Sequence, residues 1–195
     1  MKLNFDFFDI AENQAAESGK VLISEPFLED NYFKRSVVYL TEHNDNASIG
    51  FVLNKSLKMT VNEVISDFPK AEFQVSIGGP VNTNSIHYLH RIGDMIPESL
   101  HVKNGIFWGG DFEALKNLVL SGEVKNEDIR FFLGYSGWGE HQLNDELKAK
   151  AWLVGEISPE LIMKGGDNSF WTEVVSKFDA KYKAWANFPD HPGLN

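Results

Sequence analysis

The chain has 195 residues, 43% hydrophobic and 24% charged, which fits one globular domain, or one domain with a docked tail, able to bury a sizeable core. Its 28 acidic and 18 basic side chains leave a formal charge of −10, and no run of Lys and Arg offsets it, so the composition argues against nucleic acid as a partner. Cysteine is absent, which excludes disulfides, thiolate metal sites and cysteine nucleophiles together and fits a reducing, cytoplasmic setting.

Residues 1–18 carry Asp6, Asp9 and Glu12 among Phe5, Phe7, Phe8 and Ile10. That pattern lacks the basic start and apolar centre of a signal peptide, and reads as a short packed helix or a loose segment. No apolar stretch approaches the ~20 residues of a spanning helix, so no membrane association is expected. Val21 to Ser24 is a short strand ended by Pro26. Lys34 to Thr41 and Ala47 to Asn54 are stronger ones, and the turn residues Glu42 to Asn46 join them as a hairpin. Thr60 with Glu63 forms a capping box that opens a short helix before Pro69.

Phe73 to Ile77 is a further strand running into the sharp turn Gly78-Gly79-Pro80-Val81. Ser85 to Ile92 and Gly105 to Trp108 also read as strands. Asp111 caps a helix whose Phe112, Leu115, Leu118 and Val119 share one face, closed by Gly122.

Ile129 to Leu147 is the stretch on which the chain turns: a strand to Leu133, then Gly134, Gly137 and Gly139 interleaved with Tyr135, Ser136 and Trp138, then helix-favouring residues from Glu140. It predicts strand, tight glycine loop and helix. Ala151 to Ile157 is a late strand, and Ser158-Pro159-Glu160 starts a helical turn. A single tail helix is predicted over Asn168 to Ala186, with Trp171, Val174, Val175, Phe178, Tyr182 and Trp185 on its core face and Pro189 beyond it. Hairpins and isolated helices without regular β-α-β alternation indicate α+β. The expected organisation is an N-terminal segment 1–18, a body 19–166 and a helical tail 167–195.

These residues carry a resemblance. Phe33 to His43, Gly50 to Lys55, Gly78 to Val81, and Gly134 to Trp138 followed by Gln142-Leu143 and Ala151-Trp152 stand in the order of the YqgE/AlgH family of bacterial proteins. The match runs from Gly19 to about Ile157. The chain departs from the family pattern at Ser56, Ser136, His141 and Asn144, where Pro, Ala, Gly and an acid are usual. The resemblance implies an α+β fold with a strongly bent, barrel-like mixed sheet; with the helices read above, the expected architecture adds flanking helices and the C-terminal amphipathic helix, a feature of only part of the family. It also carries the label of transcriptional regulator, which nothing in this chain's chemistry supports.

Ser136, between strand and helix, suggests a nucleophile elbow, but Trp138 stands where the Gly-x-Ser-x-Gly pattern needs glycine. The glycine spacing matches neither the Walker A loop nor the dinucleotide fingerprint. His87 and His90, three apart on a strand, point to opposite faces and make poor co-ligands, so no metal and no cofactor is expected. The expected function is non-catalytic binding of a small molecule or protein partner, through Arg35, His43, Asn54, Gly79, Pro80, Gly134, Tyr135, Gly137, Trp138 and Gln142. The alternatives are a hydrolase using His43 or Ser136, and a DNA-binding regulator, which the charge disfavours.

Overall fold

A computed structural model describes residues 14–188, so the expectations for the first 13 residues and for the stop at Pro189 lie outside the described residues. The architecture is α+β, a strongly curled mixed sheet with six helices. At its centre lies strand β9 (Ile129–Trp138), which runs through the glycines as strand rather than loop. This corrects the expected glycine loop, whereas the strand before it and a helix after it, at Gln142–Lys148, are found as expected.

Pairing on both sides holds the glycine stretch extended. Strand β6 (Val81–His90) pairs antiparallel with β9 from Ile129 to Tyr135, bulging over residues 82–85 between Val81↔Tyr135 and Ile86↔Leu133. On the other side the neighbour changes. Strand β5 (Gln74–Ile77) pairs parallel with Phe131 to Leu133, whereas β3 (Ser48–Val52) pairs antiparallel with Ser136 to Trp138. Gly134 stands at the change with φ +64°, where a Cβ would press on the Val81 and Gly79 carbonyl oxygens at 2.7 and 2.9 Å. Gly78 and Gly79 close the same seam from the other side, backbone against the Gly134–Ser136 backbone. The glycines therefore serve a close crossing of chains.

From one edge the sheet runs β10 (Trp152–Gly155), β1 (Val21–Ser24), β2 (Val37–His43), β3, β9, β6, β8 (Ile106–Trp108) and β7 (Leu100–Lys103), with β4 (Ser56–Thr60) hung on β5. The hairpin expected from Glu42 to Asn46 joins β2 and β3. Strands β4 and β7 were not legible in the sequence. The first alternates poorly in burial, and both lie at the sheet's margins. The curl brings the two edges together at one corner, where Lys103 Nζ at the end of β7 lies 2.8 Å from Glu156 just past β10.

Helices cover both faces. Helices α1 (Val61–Val64) and α2 (Phe112–Leu120) pack beneath β5, β6 and β9 around Phe68, Phe73, Tyr88 and Phe131. The α1 capping box is present, and Asp111 caps α2 by accepting from Ala114 N–H. Helix α3 (Gln142–Lys148) covers the outer face of β1, β2, β3 and β10 around Trp138, Leu143 and Trp152. The concave face is filled by α4 (Pro159–Lys164), α5 (Asn168–Val175) and α6 (Ala180–Lys183).

The single tail helix is also corrected. Helix α5 ends at Val175, α6 starts after Asp179, and a short 3-10 turn over Ala184–Asn187 follows. Asp179 leaves the helical conformation, and its carbonyl accepts from Tyr182 and Lys183, which restarts the helix. Phe178, at the break, lies on Gly155 of β10. The apolar stripe survives the break, since Trp171, Val174, Val175, Tyr182 and Trp185 are all buried. None of the described helices is long and apolar enough to cross a membrane.

Candidate functional site

The concave side of β9 carries a buried cation. Strand alternation turns Ile129 and Phe131 to one core and Arg130 and Phe132 to the other, so Arg130 enters the space between the sheet and α4. Its guanidinium is pinned on three sides. Nη1 donates to Ile162 O at 2.7 Å, and Nη2 donates to Leu53 O at 3.0 Å and to Ser76 Oγ at 3.3 Å. Its Cζ lies 5.0 Å from the centre of the Phe132 ring, and Gly165 packs so close that a side chain there would collide with the guanidinium. Among the described residues no carboxylate pairs with it. Burial lowers its pKa to about 10, because the charged form has lost its water.

Arg130 lines a cleft of about 250 Å³ between β5, β9 and the end of α4. Ser56, Gln74, Ser76 and Asn126 offer neutral hydrogen-bonding groups, and Phe73, Ile129 and Met163 form apolar wall. Lys164 and Glu72 stand exposed on the rim, with Lys164 Nζ held 2.8 Å from Glu173. No motif in the sequence marks this site, and its one signal is Arg130, the only charge in the apolar run Ile129 to Leu133. A charge that must be buried for its strand to pair is a signal worth reading.

The ten residues expected from the sequence fall in separate places. Asn54 is 1% exposed, and its side chain accepts from Val37 N–H at 2.9 Å and donates to Arg35 O at 2.8 Å. It fixes the chain next to Leu53, whose carbonyl holds Arg130. Arg35, with φ +47°, donates to Phe188 O and lies over the Trp171 ring at 4.9 Å. Gly79, Pro80, Gly134, Tyr135 and Gly137 belong to the β9 seam. Trp138 is buried under α3, where Glu146 accepts its indole N–H at 2.9 Å and that of Trp152 at 2.7 Å. Gln142 reaches the same carboxylate at 3.1 Å and accepts from Gly139 N–H, the amide at the start of α3.

The two residues named for hydrolysis do not meet. Ser136 is fully buried and donates to Gly78 O at 2.9 Å, whereas His43 Nδ1 lies 2.7 Å from Ser48 Oγ. Among the described residues no carboxylate bonds the other His43 nitrogen, and no group of three or more His, Asp or Glu is placed to hold a metal.

His90 is fully buried against the Phe107 ring, beside Tyr88. Its Nε2 lies 2.9 Å from Gly109 O and 3.1 Å from Ser99 Oγ, which assigns the proton to Nε2. Burial lowers the pKa of His90, and also that of His87. Below the unfolded value of ~6.5 the unfolded chain therefore takes up protons that the native chain resists. Stability is expected to be full above that value and to fall as pH drops from 7 towards 5.5. Urea titrations of wild type and His90→Gln should show a shallower fall in the variant, and equal slopes would sink this assignment.

Comparison with known proteins places these features in a family. A family model described as AlgH-like matches residues 21–183, which extends past Ile157 into the tail. A "UPF0301 protein" of Cytophaga hutchinsonii is 44% identical over 178 residues, covering 91% of this chain and 98% of that one. A "UPF0301 protein" of Bacteroides thetaiotaomicron is 40% identical with both chains covered in full. Two solved structures share the fold. A crystal structure from Corynebacterium diphtheriae matches at 22% identity with a TM-score of 0.78, covering 96% of this chain and 100% of that one. The solution structure of the AlgH protein from Pseudomonas aeruginosa matches at 24% identity with a TM-score of 0.70, covering 93% and 100%.

Proposed function

The chain belongs to the AlgH-like family, and from that premise we propose that it works in the cytoplasm as a non-catalytic binding protein whose ligand is a small anion held over Arg130. One observation carries this reading: a buried guanidinium, with no carboxylate partner among the described residues, lines a cleft. Arginine has five N–H donors, and three are committed to protein acceptors. A ligand anion would supply the counter-charge that the protein leaves out. Of the residues expected from the sequence, Asn54 acts on this site through its neighbour Leu53, whose carbonyl holds the Arg130 guanidinium. The seam glycines act further off, by setting the path of β9.

The test is thermal stabilisation of the whole protein across a panel of anionic and neutral metabolites. A true ligand at 100 times its Kd should raise the unfolding free energy by ~2.7 kcal/mol. The same ligand should shift Asn126→Trp, which fills the exposed mouth, far less. Stabilisation of both proteins alike would place binding elsewhere. A panel without any hit would favour a protein partner instead.

A further inference from the structure

We infer that the group received at Arg130 is a single carboxylate on a short, partly apolar body, not a phosphate. This rests on the reading of the cleft as an anion site and goes further by assigning the ligand's chemistry. Charge, donor geometry and size each point to it.

The site has charge for one anion only. Lys164 is engaged by Glu173, and Glu72 adds a negative charge at the rim, so of the two cations lining the cleft Arg130 is the one that no carboxylate of the described residues neutralises. Its near surroundings are already electronegative. The Leu53 and Ile162 carbonyls point at it, and the latter belongs to the C-terminal turn of α4. A dianion with three terminal oxygens would meet two carbonyls and an acid for a single compensating charge.

The donors form a pair. Ser76 Oγ accepts from Arg130 Nη2 and has no other hydrogen bond among the described residues, so its O–H remains to donate. The residue is 4% exposed and lines the same cleft. One of the two uncommitted guanidinium N–H groups, with the Ser76 O–H, would match the two oxygens of a carboxylate. The exposed Gln74 and Asn126 amides at the rim would serve a second polar group of the ligand.

Size sets the body. The cleft holds about 250 Å³, below the ~300–1,000 Å³ of ordinary small-molecule sites. Phe73, Ile129 and Met163 supply apolar wall for a chain of a few carbons.

The experiment is a calorimetric titration of the full chain at fixed ionic strength. The probes are straight-chain carboxylates from acetate to hexanoate, the matching amides, and inorganic phosphate. We expect at least one carboxylate to bind while its amide and phosphate do not. Ser76→Ala should weaken that carboxylate by about tenfold, the loss of one hydrogen bond to a charged group. Asn126→Trp, whose position is exposed and bears no core contact, should block it. Binding of phosphate without any carboxylate would overturn the carboxylate assignment and leave the anion site standing. Carboxylate and amide binding equally, or no probe binding at all, would overturn both.

Discussion

Replacing Arg130 by methionine is expected to lower the unfolding free energy by about 2–4 kcal/mol, read as a lower urea midpoint at unchanged slope. Two effects compete. Removing a buried charge relieves desolvation, and buried ion pairs replaced by apolar residues are often neutral or better. Against this, among the described residues no carboxylate pairs with Arg130 to have its burial relieved as well, and its acceptors stay behind. Ile162 O is the sharpest case. Gly166 N–H, which would normally bond it within the helix, goes to Leu53 O instead, so Arg130 is what caps α4 there. Leu53 O keeps Gly166 as a partner and loses less. Arg130→Lys should fall between the two, since an ammonium keeps the charge but reaches fewer acceptors. A methionine variant as stable as wild type would show that the guanidinium is not maintained for the fold. That outcome would strengthen the ligand reading, because the protein would then hold a buried charge for no structural return.

Glu146→Leu should lose about 2–5 kcal/mol, because two buried indole N–H groups lose the carboxylate oxygen they share. Trp138 and Trp152 are 3% and 1% exposed and meet edge to face, with ring centroids 6.0 Å apart. Both donate to the same Glu146 oxygen, while Gln142 holds the other. Phe33 closes the cluster, stacked on Trp138 at 5.8 Å and edge-on to Trp152 at 5.4 Å. Glu146→Gln keeps an oxygen for the indoles and should lose less than half as much. Tryptophan fluorescence during urea unfolding reads both variants directly. Equal losses for leucine and glutamine would mean that packing, and not the shared acceptor, holds α3 to the sheet.

Much of the fold was legible because local chemistry agreed with the tertiary result. The capping box at Thr60, the Asp111 cap and the hairpin between Tyr39 and Phe51 follow from residues close in sequence. The four blocks that carry the family resemblance were also legible, but their role was not. Glycines in the last block looked like a loop, since nothing local reveals that β3, β5 and β6 will all pair with β9. Trp138 and Gln142, expected at a binding surface, both bond Glu146 of α3, a contact that no local signal announces.

What the amino-acid sequence determined by itself was the class of fold, the lack of any thiol chemistry, the acidic surface and the apolar stripe of the tail, because these depend on composition and on spacing within one element. Only the tertiary structure decided where the tail breaks, that the glycines serve a crossing of chains, and that Arg130 meets Leu53, Ser76 and Ile162. Those contacts join residues 32 to 77 positions apart. Their geometry depends on how the sheet curls, and curl is a property of ten strands together, not of any one of them.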